Sequence, residues 1–300
     1  MLIAKPFRIV NIGDSVPWGQ GLREAQKFDT MIQEVLKADH PGGVTLERLA
    51  HSGAVIGFHP ASGGPAPGEV PVALPTVADQ CDAFDRSPRT VDLILVNGGI
   101  NDVGVATILN PFAILPTLGS RIESACHDRM LALLNKVRAK FTKPSCKILV
   151  TGYYKILSSQ SDPLGLRSLL QIYGIATPDF LEEDALLDPI VDRCEQFFRE
   201  SNQHLSAAVD EAGDVRIRFV PSGFTDANAV FVPGTSLLFG LNEQLGPEDP
   251  VAEQRRPQCD LAFPGLGEIA NRAQCHRASA GHPNPAGSVQ YRKQILAALV

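Results

Sequence analysis

Five short apolar runs, spaced along the chain and separated by segments of helical period, constrain this sequence more than any other feature. They are Phe7 to Ile12, Val44 to Leu49, Val91 to Val96, Lys147 to Thr151 and Val215 to Val220. Each is bounded by polar or turn residues, as expected of a buried strand. Helix candidates are Phe28 to Ala38, Ile122 to Phe141 and Pro189 to Glu211, with Ala286 to Leu299 closing the chain. In the second, Ile122, Ala125, Met130, Leu133, Leu134, Val137 and Phe141 recur with helical period, so one stripe can face a sheet. Strands alternating with helices predict an α/β fold, a three-layer sandwich whose central, mostly parallel sheet of about five strands carries helices on both faces.

At 300 residues the chain is near the size where one hydrophobic core stops growing. A single domain over 1–300 is expected, with long insertions near 57–75, 157–188 and 221–277. The middle insertion carries Leu164, Leu166, Leu169, Leu170 and Phe180, which can wall a pocket or pack a satellite core. A net charge of −6 and a pI near 5.7 leave no electrostatic footprint for nucleic acid. Small, uncharged partners are expected instead. No apolar run reaches the roughly 18 residues of a membrane span, and the first residues lack the pattern of an export signal. The six cysteines form no Cys-x-x-Cys pair and have no His at zinc-finger spacing, so a structural metal is not expected. They suit either buried thiols or disulfides in an oxidising compartment, and an extracytoplasmic location is favoured.

Gly13-Asp14-Ser15 ends the first apolar run. A serine just beyond a buried parallel strand stands at the sheet's carboxyl edge, where open α/β folds bind ligands. The plain structural explanation is a helix N-cap, for which Asp and Ser are preferred. Three other segments complete a chemical set. Gly53 follows the second run, Asn101 follows the third in Gly99-Ile100-Asn101-Asp102, and His282 stands in Gly281-His282-Pro283-Asn284 ahead of the last helix. A hydroxyl nucleophile, an imidazole base and neutral donors for an oxyanion are the parts of an acyl-transfer site. The chain has no G-x-x-x-x-G-K-[ST], no G-x-G-x-x-G after a strand and no G-x-S-x-G elbow, so phosphate-loop, dinucleotide and lipase-elbow geometries are not indicated.

These four blocks, in this order, resemble the signature blocks of the SGNH hydrolases, also called the GDSL esterase and lipase family. Gly19, four residues after Ser15, matches that pattern too. The resemblance implies a serine ester hydrolase acting on lipid or aliphatic acyl esters. Ser15 would be the nucleophile and His282 the base, with the oxyanion held by Ser15 N–H, Gly53 N–H and the Asn101 amide. This chemistry requires no cofactor, and a small ester substrate and a monomeric enzyme are expected. An acetyl-carbohydrate esterase, a thioesterase or acyltransferase, and a non-catalytic binding module remain alternatives. Secreted actinobacterial members often join cysteines consecutive in sequence into three disulfides. Cys259–Cys275, bracketing the segment that leads to His282, is the pair expected here. The departure is Ser279, where the family usually has the Asp that orients the histidine. A Ser-His dyad whose histidine is oriented by a backbone carbonyl near Ser279 is the preferred reading, with the Ser279 hydroxyl or a distant carboxylate such as Asp226 or Asp260 completing a triad as the alternatives.

Overall fold

A computed structural model describes residues 5–57, 66–113, 115–242 and 246–300. Parts of the insertions near 57–75 and 221–277 therefore lie outside the described residues. Five strands, β1 (Phe7–Ile12), β2 (Val44–Arg48), β3 (Leu93–Val96), β4 (Lys147–Thr151) and β5 (Ile217–Val220), form one sheet in the order β2-β1-β3-β4-β5. Every pairing is parallel. Central β3 is buried at every position, whereas edge strands β2 and β5 are only partly covered. That gradient is what helices on both faces of an open sheet produce. On one side helices Phe28–Lys37 and Pro285–Leu299 pack together, the first against β2 and the second against β4 and β5. Helices Val77–Ala83, Met130–Lys140 and Glu183–Ala212 form the other layer. The expected three-layer α/β fold is present.

Strand order reverses at β1, which lies between β2 and β3. The chain leaves β1 and β3 at the same edge, and the gap between their outgoing loops is the crevice where such sheets bind ligands. Gly13 makes the turn out of β1 at φ +151°, and a Cβ there would lie 2.4 Å from Pro17 Cγ and 2.7 Å from the Asn97 carbonyl. Only glycine fits. Gln80, buried on helix Val77–Ala83, clamps the same residue from both sides. Its Oε1 accepts Gly13 N–H at 2.7 Å, and its Nε2 donates to the Gly13 carbonyl at 3.0 Å.

Three departures of the elements from the sequence reading stand out. The helix expected over Ile122 to Phe141 starts earlier, at Leu115, and passes through a π-turn over Ser124–Arg129 before Met130–Lys140. Ala125 and Cys126 within the π-turn and Met130 just past it are all buried, so the apolar face continues through the wider turn. The helix expected from Pro189 starts at Glu183 and keeps the proline inside, because buried Leu186, Leu187 and Ile190 extend its apolar face through that point. The stretch from Pro221 to Arg277, expected to be irregular, contains helices Ala252–Ala262 and Ile269–His276. A low apolar content hid their period.

Replacing Gly13 by alanine should lower the unfolding free energy by at least about 2 kcal/mol, since the new Cβ meets backbone as well as a ring at a strained φ. Urea unfolding of Gly13→Ala reads this directly. A loss under about 0.5 kcal/mol would mean that the turn can relax.

Candidate active site

The structure brings Ser15, Gly53, Asn101 and His282 to the mouth of one cleft of ≈ 270 Å³. Asp14 is the N-cap of the short helix Ser15–Trp18, its Oδ1 accepting Val16 N–H at 2.9 Å. The cap explanation therefore holds for Asp14, and it leaves the Ser15 hydroxyl free for other work. That hydroxyl lies 2.7 Å from His282 Nε2. Among the described residues no hydrogen bond occupies the backbone N–H of Ser15 or Gly53.

Gly53 follows β2 at φ +81°, and a Cβ there would lie 2.5 Å from Val72 N. The segment around Val72 packs on it, held by the pair Ser52 N–H to Gly68 O at 3.0 Å and Val72 N–H to Ser52 O at 3.1 Å. Asn101 lies in the short helix Ile100–Val103, and its Nδ2 donates to the Ala54 carbonyl at 3.0 Å. One amide hydrogen is thus spent on the β2 loop, and the amide is steered beside Gly53. Asp102 strengthens the link by accepting Ile56 N–H at 2.9 Å, and Arg129 from the π-turn binds its other oxygen at 2.7 Å. Cys126, also in the π-turn, packs beneath Gly99, where a Cβ would lie 2.9 Å from its sulfur. The π-turn is therefore what presses on the loop that carries Asn101.

Tyr153, just past β4, joins the first and third blocks. Its hydroxyl accepts Ile100 N–H at 3.1 Å and donates to Asp14 Oδ2 at 2.7 Å. Burial raises the Asp14 carboxyl to about 6, opposed by the Tyr153 hydroxyl and Val16 N–H and assisted by the charge of Asp102. Sequence reasoning missed Tyr153 and Gln80. For Tyr153 a signal existed, since it stands just beyond a buried strand at the ligand-binding edge. Gln80 carries no such mark.

His282 arrives on a braced loop. Phe239 N–H donates to the His282 carbonyl and Gly281 N–H to the Phe239 carbonyl, each at 2.8 Å. Tyr154 OH donates to Gly281 O at 3.0 Å. Asn284 then caps helix Pro285–Leu299, accepting Ala286 and Gly287 N–H at 3.0 Å, with Pro285 opening the first turn.

Among the described residues no carboxylate touches the imidazole. Asp226 pairs with Lys155 at 2.5 Å, and Asp260 pairs with His276 at 2.9 Å, so neither replaces the missing acid. The Ser279 hydroxyl donates instead to Asp249 at 2.5 Å. His282 Nδ1 is buried without a hydrogen-bond partner among the described residues. The carbonyls of Ser279, Ala280 and Ala278 favour the protonated ring, yet none closes a well-aligned bond to Nδ1. Burial first, and the Arg255 charge second, push the imidazole down to about 4.

The Cys259–Cys275 disulfide is present, with a Cα–Cα distance of 5.7 Å. It packs against Val70, in the segment that continues to Val72 over Gly53. The pattern of three consecutive pairs is not followed. Cys81, Cys126, Cys146 and Cys194 are free and buried, and burial pushes their thiols up, to about 11 for Cys81 and about 12 for Cys146 and Cys194. No helix of the described residues is long and apolar enough to cross a membrane. No group of three or more His, Cys, Asp or Glu among them is placed to hold a metal ion.

No protein-family model matches the sequence, and no curated protein matches it. Solved structures do match. An extracellular lipase from Streptomyces rimosus is 15% identical with a TM-score of 0.53, the match covering 98% of this chain and 100% of that one. A lipase from a goat rumen metagenome is 13% identical with a TM-score of 0.50, covering 97% of each chain. At such identities the likeness is one of fold, and it agrees with the sheet order and the edge at which the four blocks meet.

The environment of His282 has a measurable consequence. Its ring protonates at about 4 in the folded chain but near the ordinary 6.5 when unfolded, so between those values the unfolded chain binds more protons. This group's contribution to stability is full above about 6.5 and is lost as pH falls through about 4. Histidine ring NMR should find a signal titrating at about 4, and that signal should vanish in His282→Gln. A His282 signal titrating near 6.5 would contradict this.

Proposed function

We propose that this chain, which has the SGNH hydrolase fold, is a serine ester hydrolase acting on uncharged acyl esters. One observation carries the reading: the Ser15 hydroxyl and His282 Nε2, 2.7 Å apart, open onto a cleft shared with Gly53 and Asn101. Ser15 Oγ attacks the ester carbonyl while His282 takes the hydroxyl proton through Nε2. The carbonyl oxygen, now negative, is met by Ser15 N–H, Gly53 N–H and the second Asn101 amide hydrogen. Collapse expels the alcohol, which receives the proton from His282, and water then releases the acid by the same steps in reverse order.

The cleft walls argue for the acyl class. Val16, Ile100, Val105, Ile156, Ile172 and Ala280 are among its lining, and among the described residues no Asp, Glu, Lys or Arg joins them. An alkyl chain is desolvated there with gain, at roughly 0.8 kcal/mol per buried methylene. A sugar would leave many hydroxyls facing carbon. On this reading the whole chain acts as one domain, and a monomer suffices because all four blocks belong to it.

Ser15→Ala should abolish both hydrolysis of p-nitrophenyl esters and labelling by a fluorophosphonate probe. Asn101→Ala should lower kcat by about 10²- to 10³-fold, the usual effect of deleting one oxyanion donor. In a panel of acyl chains and acetylated sugars, butyrate to octanoate esters should exceed acetyl-xylose in kcat/KM. Full activity in Ser15→Ala would end the proposal, and a preference for the acetylated sugar would reverse its substrate class.

A further inference from the structure

Ser279 occupies the position from which a carboxylate would ordinarily reach the histidine, and it is fully buried. A Cβ placed on Gly21 would lie 2.7 Å from Ser279 Cβ and 2.9 Å from Asp249 Cβ, so the turn that follows Ser15 is pressed directly onto this pair. The Ser279 hydroxyl donates to Asp249 Oδ2 at 2.5 Å. Arg255 grips the same carboxylate with both forks, at 2.7 and 3.1 Å, and both side chains are wholly buried. Its remaining donors reach the carbonyls of Cys275 and His276, each at 3.1 Å, and Glu69 Oε2 at 3.2 Å.

A fully buried ion pair is a weak source of net stability, because desolvation offsets most of the attraction. Its value here is in what it fixes. Arg255 holds the chain at 275 and 276, and Asp249 holds it at Ser279, three residues before the base. The Ser279 carbonyl accepts His282 N–H at 2.8 Å, so the anchored residue carries the backbone of the histidine itself. Through Glu69, which also accepts from Trp18 at 3.0 Å and Gln20 at 2.8 Å, the same guanidinium is tied to the segment that bears the nucleophile.

We propose that Asp249 and Arg255 are positioning residues for His282, acting through the Ser279 hydroxyl, and that this buried chain replaces the orienting carboxylate without touching the ring. The inference rests on the hydrolase reading. It differs from a triad in its signature: the carboxylate works through a hydroxyl, so its removal and the removal of that hydroxyl disable one device.

Steady-state kinetics on a p-nitrophenyl ester, with Ser279→Ala, Asp249→Asn and the double variant, tests this as a cycle. Ser279→Ala should lower kcat by roughly three- to tenfold and Asp249→Asn by roughly ten- to thirtyfold, with KM changed less than about threefold in each. The double variant should fall no further than Asp249→Asn alone. Losses that multiply in the double variant would overturn the proposal, as would wild-type kcat in either single variant. Loss confined to KM would do the same. If Asp249→Asn does not fold, Ser279→Ala decides by itself, since it leaves the ion pair intact and unchanged turnover there removes the link. Absence of turnover and labelling in the wild type removes the hydrolase reading and this inference together, whereas an active wild type with unaffected variants removes only the inference.

Discussion

Parallel pairing of β1 between β2 and β3 is the constraint on which the rest of this molecule depends. Parallel strands point the same way, so their outgoing loops emerge at one edge. Ser15, Gly53 and Asn101 are far apart in the chain, and they are neighbours only because they follow the first three strands in the same sense. The hydrogen bonds between loops, Asn101 to Ala54 and Ile56 to Asp102, refine a meeting that the sheet has already arranged. A glycine turn clamped by Gln80 then sets the direction of the first loop.

The electrostatics of the base follow from burial more than from any partner. An imidazole without a carboxylate has little to stabilise its charged form, and Arg255 adds repulsion. His282 is thereby kept neutral and ready to accept a proton over a wide pH range, but its imidazolium is held only by backbone carbonyls. The arrangement favours readiness over strength as a base. Asp14 is shifted the opposite way by the same burial, and Tyr153 satisfies it with a hydroxyl rather than a second charge.

Much of this was legible in the residues. Strands β1 and β4 begin and end where their apolar runs do, because a buried strand leaves an uninterrupted apolar stretch that side-chain patterning records. The four blocks were legible too, since each follows a strand or precedes a helix at the ligand edge. What was hidden depends on pairings far apart in sequence. Asp249 and Arg255 stand in a polar stretch with no period to betray their burial, and their meaning comes only from Ser279. Gln80 reads as an ordinary helix residue until Gly13 is seen beneath it. The π-turn carries no mark in the sequence either, for Cys126 and Met130 keep an ordinary four-residue step through it.

The Ser15 hydroxyl and the His282 imidazole that meets it are separated by 267 residues. Contacts of such span form late, after the loop-closure entropy of everything between has been met by nearer contacts. The Ser15 turn can be complete, capped by Asp14 and clamped by Gln80, while its hydroxyl still lacks a base. On the hydrolase reading, that hydroxyl gains its partner only when the segment from Cys275 to the closing helix docks.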